Sequence, residues 1–412
     1  MKKLFLIAAI ALLGSCSRSH DTIVVHNDKN YSTQISKEQA LKHLYSELQI
    51  IDGKTRAEGN SRTVKSIRNL TGATTRSGNV LSDDLLYIVE FEEGQGSAIV
   101  AADYRLEPVI AVLDSSVIKE EDFSSNNTDN INSYVASLIS DYTIAVTSSE
   151  GPLPLTPAPD MDNADTTFLY DIHPKLKTKW HQGSPFNDKC VEVYGSDAVA
   201  GCAPIALAQF MYYQFPNSMF VFDNYTILMS NLRALEFTTN LQKPVVSVFT
   251  KTTAANLLYS IGIEIDADYN SYSTGASINN TVDFVREFLN YNNAASISYD
   301  TNTVYTKLND NKVIITTGYT SNNSGHAWII DGGYHYIVSG TQYLHDGTAI
   351  EITNRLCKKV HCNYGWGGVC DGYYTEYLFD TTTPNYEIEF SNGDIIGTGT
   401  SNYDTNIKII NY

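Results

Sequence analysis

The sequence predicts an α+β protein built from two domains. Its 412 residues are 42% hydrophobic, which is enough apolar material for more than one buried core. Residues 37–50 and 131–142 carry apolar residues at helical spacing, whereas residues 85–102 contain two β-forming runs around a Gly-rich turn. Four prolines from Pro152 to Pro159 then exclude a helix or central strand and indicate a connector between the domains.

The charge balance argues against a nucleic-acid partner. The chain has 28 Lys and Arg residues against 46 Asp and Glu residues, a formal net charge of −18. Such a negative field repels phosphate backbones and anionic lipid headgroups. We therefore expect no nucleic acid among the partners, and contact with a membrane only through a covalent anchor.

The first residues predict export. Lys2 and Lys3 precede an apolar run of ten residues from Leu4 to Leu13, which has the length of a signal-peptide core. A membrane-spanning helix needs about twenty residues. The run ends in Leu-Gly-Ser-Cys16, which resembles the bacterial lipobox, in which the cysteine is lipidated and becomes the new N-terminus. We expect a signal peptide over 1–15 and a lipid anchor at Cys16 with a tether over 16–36; the alternative is an ordinary secretory signal with an incidental cysteine.

Residue spacing also predicts the elements of the first domain. In chain order these are a helix over 37–50, a polar loop over 54–76, a hairpin over 85–102, a strand over 109–113 and a helix over 131–142. Together they predict a small α+β domain over 37–150. A Pro-rich linker over 151–167 and a larger domain over 168–412 follow it.

The cysteine count indicates a free thiol. After Cys16 five cysteines remain, an odd number, which in an exported chain suggests one that is unpaired and reactive. Cys357, Cys362 and Cys370 lie close in sequence, so a disulfide among them or to Cys190 stays open. A zinc site with the adjacent His361 is another alternative, although the spacing is irregular and no C-x-x-C pair is present.

Cys202 is a candidate nucleophile. It begins the segment Cys-Ala-Pro-Ile-Ala-Leu-Ala-Gln-Phe-Met, whose spacing predicts a helix in which Pro204 is tolerated only in the first turn. A cysteine at a helix N-terminus is favoured as the thiolate, which is the nucleophile for acyl transfer. A buried structural cysteine is the alternative for this segment taken alone.

Three further segments carry groups that a thiol hydrolase needs. His326 follows two small residues and opens a β-forming run, so its imidazole is expected at the mouth of a strand. Asn363 could accept a hydrogen bond from that imidazole, and Trp366 could shield the bond from water. Gln182, upstream of Cys202, suits an oxyanion hole together with the Cys202 backbone N–H. Each of these residues by itself also fits a structural role.

The four segments occur in the order Gln, Cys, His, Asn/Trp, which is the papain-like order. The phrases W-H-Q-G-S-P-F-N, G-C-A-P-I-A-L-A-Q-F-M, G-H-A-W-I-I-D-G and N-Y-G-W-G-G-V-C-D-G-Y together resemble those of the streptopain family of secreted bacterial cysteine proteases. Residues 87–103 are similar to the hairpin of that family's inhibitory prodomain, so the resemblance covers most of the chain after the anchor. It implies a papain-like α+β catalytic domain preceded by a small α+β inhibitory prodomain.

The resemblance also implies roles for individual residues. Cys202 corresponds to the nucleophile, His326 to the general base and Gln182 to the oxyanion donor. Asn363 and Trp366 correspond to residues that shape the His side of the site.

Substrate contacts are implied in the same way. Gly325 would bind substrate through its backbone, and Ala276 and Ser277 lie in a stretch similar to a substrate-binding loop. Two positions depart from the family: Tyr364 stands where a Trp is usual, and Pro204 replaces a more ordinary helix residue. Neither departure removes a chemical group that the mechanism needs.

The expected function is therefore a cysteine endopeptidase that hydrolyses protein or peptide substrates through a thioester, with no metal or organic cofactor. Its own prodomain would act as an intramolecular inhibitor, and the catalytic domain would be released from the lipid-anchored envelope form by processing. Because no Lys or Arg lies between Lys119 and Lys175, we expect self-processing, or a protease preferring apolar residues, to cut between about 151 and 169. The alternatives are a cell-wall peptide amidase and a catalytically inactive surface lipoprotein on the same fold.

Overall fold

The regular elements of the chain lie within ranges that a computed structural model describes. These ranges are 21–25, 34–55, 62–70, 84–124, 131–147, 164–236, 246–270, 273–320, 324–343, 349–379, 386–390, 395–396 and 407–412. The expected signal peptide, Cys16 and the Pro-rich segment 151–159 lie outside the described residues.

The helices of the described ranges are α1 Lys37–Thr55, α2 Ile131–Thr147, α3 Asp188–Tyr194, α4 Cys202–Gln214, α5 Val248–Glu264, α6 Ile278–Asp283 and α7 Thr301–Asn309. In these ranges no helix is both long enough and apolar enough to cross a bilayer. The strands are β1 Asp21–Val25, β2 Val64–Asn69, β3 Leu86–Phe91, β4 Ser97–Ala101, β5 Val109–Leu113, β6 Asp165–Ile172, β7 Met219–Val221, β8 Thr226–Leu228, β9 Asp268–Asn270, β10 Ser273–Gly275, β11 Ala295–Ser298, β12 Ile314–Tyr319, β13 Gly325–Tyr343, β14 Ala349–Asn363, β15 Gly372–Thr375, β16 Tyr386–Phe390, β17 Ile395–Ile396 and β18 Lys408–Asn411.

One sheet runs through both the N-terminal and the C-terminal parts of the chain. Its main strand order is β11-β18-β12-β13-β14-β15-β5-β4-β3-β2, and β6 pairs with the far half of β13. The two parts meet at an antiparallel pair of strands, in which Gly372 of β15 faces Leu113 of β5 and Tyr374 faces Ala111. The N-terminal part is therefore joined to the C-terminal part by backbone hydrogen bonds as well as by side chains.

The expected hairpin, the strand after it and both helices of the first domain are present, with α1 and α2 each reaching about a turn beyond the predicted span. The loop expected over 54–76 is wrong in part, because β2 forms within it at the edge of the sheet. Lys65 lies 2.6 Å from Glu90 and Arg68 lies 2.7 Å from Glu120. Two of the basic residues that suggested a loop, Lys65 and Arg68, are thus paired, solvent-facing side chains of an edge strand.

A strand also forms inside the segment expected to be a polar tether. Residues Asp21–Val25 pair with β14 and with β16. The run Thr-Ile-Val-Val at 22–25 is β-branched throughout, which favours extended backbone.

Helix α4 is buried on all sides and so forms a rigid support for its first residue, Cys202. Every residue from Ala203 to Tyr212 is buried. The helix packs against β13 on one side and α5 on another. A helix that is apolar all round is typical of a protein core.

We predict that Gly96, in the turn between β3 and β4, does not tolerate a side chain. Its φ is +92°, and a Cβ there would lie 2.1 Å from the Leu113 carbonyl oxygen. Gly96→Ala should therefore lower the free energy of unfolding by about 2–4 kcal/mol, from left-handed strain plus steric overlap. Urea unfolding in a Cys202→Ala background measures this loss. Gly94→Ala is the matched control, because Gly94 has φ +69° but no atom within 4 Å of the added Cβ. Equal losses for the two variants would contradict the prediction.

Candidate active site

Cys202 begins α4, as the sequence predicts. Gly201 before it has φ +92°, and a Cβ there would lie 2.8 Å from Thr274 Cγ2, so glycine allows the β9–β10 hairpin to approach the cysteine. Burial raises the pKa of the Cys202 thiol, while nearby backbone N–H groups, including that of Ala327, oppose the shift. The thiolate expected from the helix end is thus not favoured in the uncleaved chain, because desolvation outweighs it.

His326 lies at the start of β13, where it faces Gly318 of β12. Its Nε2 lies 2.9 Å from the Tyr364 carbonyl oxygen, so the ring N–H donates there. Burial lowers the pKa of His326 to about 4, although the bond to that carbonyl opposes the shift. Because the Ala327 N–H next to His326 bonds to the Cys202 sulfur, the strand and the helix bring the two candidate groups to one site.

Asn363 does not bond to His326, so that expectation is wrong. Its Oδ1 accepts hydrogen bonds from Gln209 Nε2 at 3.0 Å and from the Gly365 N–H at 3.1 Å, and its Nδ2 donates to the Thr178 carbonyl at 2.9 Å. The amide is buried, and turning it towards His326 would leave three polar partners unsatisfied. The main-chain carbonyl of Tyr364 orients the imidazole instead.

Trp366 does not cover the imidazole either. It is half-buried against the hydrophobic core. Within the described residues, the rings next to His326 are those of Tyr134, Trp328 and Tyr364, at centroid distances of 5.4, 6.4 and 5.9 Å. Tyr364, which stands where the family usually has Trp, therefore still packs against the His.

The main chain of Gln182 lies beside the segment that leads into Cys202, 20 residues further along the chain. Its carbonyl accepts a hydrogen bond from the Ala200 N–H at 3.0 Å, two residues before Cys202. The β10 residue Thr274 donates from its hydroxyl to the Val199 carbonyl at 2.8 Å. The segments that carry Gln182 and the expected substrate loop thus flank the chain leading into α4.

The other expected substrate-binding residues lie close by. Gly325 is exposed and faces Tyr319 across the β12–β13 pair. Ala276 is partly buried against the core around α4. Ser277 caps α6, because its hydroxyl accepts a hydrogen bond from the Asn279 N–H, so its side chain has a structural task.

Tyr134 on α2 is the contact that sequence reasoning missed. Its ring packs against those of His326 and Trp328, and within the described residues its hydroxyl has no hydrogen-bond partner. Burial raises its pKa well above the ordinary value, with Cys202 adding to the shift. Helical spacing predicted a buried face for α2 but could not say that this face covers His326.

The remaining cysteines and His361 do not form the sites left open by the sequence. All five cysteines after Cys16 are free thiols. His361 instead contacts two carboxylates, with Nδ1 at 2.6 Å from Asp331 and Nε2 at 3.3 Å from Asp114. Within the described ranges, no group of His, Cys, Asp and Glu is placed to hold a metal ion.

Comparisons with known proteins agree with this geometry. Residues 180–374 match the sequence model of the family described as Peptidase C10 family. Streptopain of Streptococcus pyogenes serotype M28 is 23% identical over 342 residues, which are 72% of this chain and 75% of that protein. Streptopain of serotype M3 is 23% identical over 344 residues, with the same shares.

A solved structure shares the fold. A fragment of Prevotella intermedia prointerpain A, carrying a Cys-to-Ala mutation, superimposes with a TM-score of 0.53 at 18% identity. The match covers 84% of this chain and 97% of that one. The papain-like α+β fold expected from the sequence is thereby confirmed.

We predict that the Tyr134 ring keeps Cys202 unreactive in the uncleaved chain. Tyr134→Ala should speed alkylation of Cys202 by iodoacetamide at pH 7, because water then reaches a thiol and an imidazole that burial holds neutral. Peptide mapping by mass spectrometry measures labelling at Cys202 alone. Tyr134→Phe is the control: it keeps the ring and removes only a hydroxyl with no partner among the described residues, so labelling should match the wild type. Labelling of Tyr134→Ala at the wild-type rate would refute this role.

Proposed function

This chain belongs to the streptopain family of papain-like cysteine endopeptidases, and we propose that Cys202 and His326 form its catalytic pair, kept inactive by a prodomain over 37–150. The observation that supports this most directly is the placement of His326. Its Nε2 is taken by the Tyr364 carbonyl, which leaves Nδ1 for the Cys202 thiol. In a thiol protease, a histidine acts as the base for the cysteine while another group holds the imidazole in the right orientation, and here the Tyr364 carbonyl would be that orienting group.

The chemistry follows from these positions. The Cys202 thiolate attacks a peptide carbonyl, and the His326 imidazolium protonates the leaving amine. Water, deprotonated by His326, then hydrolyses the thioester and restores the thiol. The backbone N–H of Cys202 lies in the first turn of α4, where it has no intrahelical acceptor, and it would bind the oxyanion together with Gln182.

In the uncleaved chain both members of the pair are held neutral. Burial raises the pKa of Cys202 and lowers that of His326 to about 4, so neither ion is favoured at pH 7. Tyr134 contributes to that burial from α2. Removal of residues 37–150 would admit water to both groups and shift both pKa values towards the ion pair.

Three ion pairs, two of them buried and the third partly exposed at Asp114, support the assignment of 37–150 as a docked prodomain. Alternate residues of β14 share one face of the strand, and this face carries three basic side chains. Each meets a carboxylate from the N-terminal part: Arg355 lies 2.6 Å from Glu107, Lys359 lies 3.3 Å from Glu47, and His361 lies 3.3 Å from Asp114. Burial by itself disfavours charge on His361, but Asp331 and Asp114 raise its pKa to about 10. The His361–Asp114 pair is therefore charged at neutral pH.

The proposed activation cut lies before β6. Residues Asp165–Ile172 are hydrogen-bonded to β13, so a cut upstream of Asp165 leaves the catalytic part intact. The absence of Lys and Arg between Lys119 and Lys175 argues against a trypsin-like activator and for self-processing or a protease that prefers apolar residues. The domain boundaries at 150/151 and 167/168 remain part of this proposal, although the second boundary lies inside β6, which already begins at Asp165.

Cellular location forms the last part of the proposal. The apolar run and Leu-Gly-Ser-Cys16 support a lipid-anchored zymogen on the bacterial envelope. A cut between the prodomain and β6 would then release the catalytic domain from the anchor.

The test is to incubate residues 17–412 with reductant beside Cys202→Ala and to follow mass and casein cleavage. We expect the wild type to shrink to about the catalytic domain and gain caseinolytic activity, while Cys202→Ala stays intact and inert. Digestion of peptidoglycan with casein spared would indicate an amidase. No labelling of Cys202 by an epoxide thiol probe, even after cleavage by an added broad-specificity protease, would indicate an inactive scaffold.

We predict that Glu107 helps to hold the prodomain in place. Glu107→Gln leaves Arg355 buried without its carboxylate, and breaking one partner of a buried pair costs about 3–5 kcal/mol. The variant should therefore convert faster than the wild type when a trace of mature enzyme is added, as gel densitometry would show. Glu121→Gln removes the same charge from an exposed pair with Lys119 and should convert at the wild-type rate. Identical rates for all three chains would exclude a latch at Glu107.

A further inference from the structure

We infer that Gln209 is a positioning residue of the proposed active site. It fixes two segments relative to the Cys202 helix: the His side, whose Tyr364 carbonyl orients His326, and the oxyanion side, which leads to Gln182. The inference rests on the proposed protease function. It concerns a side chain that touches neither Cys202 nor His326 in any contact the structure describes.

Gln209 is one of three residues that form a closed ring of buried hydrogen bonds. It is seven residues, about two turns, after Cys202 and is fully buried. The Thr178 hydroxyl donates to Gln209 Oε1 at 2.6 Å, and Gln209 Nε2 donates to Asn363 Oδ1 at 3.0 Å. Asn363 Nδ2 closes the ring by donating to the Thr178 carbonyl at 2.9 Å. Two segments that are distant in sequence, around Thr178 and around Asn363, are thus tied to α4.

On the His side, the ring fixes the carbonyl that orients the imidazole. Asn363 Oδ1 also accepts from the Gly365 N–H at 3.1 Å, and the Tyr364 N–H donates to Asp371 Oδ1 at 2.9 Å. The backbone of Tyr364 is therefore held on both sides. Its carbonyl can remain at 2.9 Å from His326 Nε2 only while Asn363 keeps its place.

On the oxyanion side, the same ring holds the segment leading to Gln182. Thr178 lies four residues before it, and the carbonyl of Trp180 between them accepts from the Gly367 N–H at 3.0 Å. All these residues belong to the C-terminal part, beyond the linker. The ring therefore does not depend on the prodomain and would persist in the processed enzyme.

Only an uncharged side chain with both a donor and an acceptor completes this ring. Met has a length close to that of Gln, but its thioether is only a weak acceptor and it has no donor. Gln209→Met therefore leaves the Thr178 hydroxyl and Asn363 Oδ1 each without one partner. Buried groups in that condition move to find new partners, which shifts the segments that carry them.

The test compares processed Gln209→Met with processed wild type, each normalised to the sites titrated by an epoxide thiol probe. We expect kcat to fall on the order of 10²-fold with KM changed less than about threefold, because misplaced groups slow chemistry more than binding. The alkaline limb of the kcat/KM profile should move to lower pH, because the His326 imidazolium loses a well-placed carbonyl acceptor and its pKa falls. A side chain that only stabilises the fold would leave this limb in place.

Two further variants keep the inference open to refutation. Thr178→Val removes one hydrogen bond of the ring at nearly constant shape, and it should shift kcat and the alkaline limb in the same direction by a smaller amount. Leu207→Ala is the control for stability, because Leu207 is buried on the same helix but belongs to no part of the ring. Its kcat per titrated site and its pH profile should match those of the wild type.

The outcomes separate this inference from the proposed function. Wild-type kcat and pH profile in both Gln209→Met and Thr178→Val would overturn it, as would an equal shift in Leu207→Ala. If Gln209→Met yields no folded protein, Thr178→Val decides alone. A wild-type enzyme that cleaves no peptide after processing would instead overturn the proposed function, and this result is read from the wild type without any variant.

Discussion

The buried charge on β14 is the constraint on which the arrangement of the two parts depends. Arg355, Lys359 and His361 are each almost fully buried, and a buried cation is stable only with a hydrogen-bonded anion beside it. The N-terminal part supplies an anion to each cation, from α1 and from the two ends of β5, and His361 also contacts Asp331 of its own part. In the observed register of β5 against β15, the N-terminal part places a carboxylate beside each of the three cations. That register brings α2 over the active site and places the Tyr134 ring against His326.

Docking and catalysis place opposite demands on the same two side chains. The Tyr134 ring packs against His326, both Cys202 and His326 are partly buried, and desolvation favours the neutral thiol and the neutral imidazole. Peptide hydrolysis needs the ion pair. Under the proposed function, inhibition would therefore be electrostatic, and water admitted after docking ends would hydrate the β14 cations and the proposed catalytic pair together.

The groups proposed to position the chemistry are separate from those proposed to inhibit it. The ring of hydrogen bonds at Gln209 and the bond from His326 to the Tyr364 carbonyl lie wholly within the C-terminal part. The ion pairs on β14 and the Tyr134 contact join the two parts. Loss of the N-terminal part therefore removes the inhibitory contacts and leaves the positioning contacts in place.

The sequence by itself determined what depends on local spacing. Apolar periodicity and Pro204 placed Cys202 at the start of a helix, small residues before a β-forming run placed His326 at a strand mouth, and the order of four motifs indicated the family. The tertiary structure decided which partners these residues meet. It turned Asn363 towards Gln209, gave its expected role to the Tyr364 carbonyl and brought Tyr134 from 192 residues away in the chain to His326. Which partner a side chain meets depends on how segments distant in sequence pack together and on which buried polar groups need a hydrogen bond. No local sequence pattern contains that information.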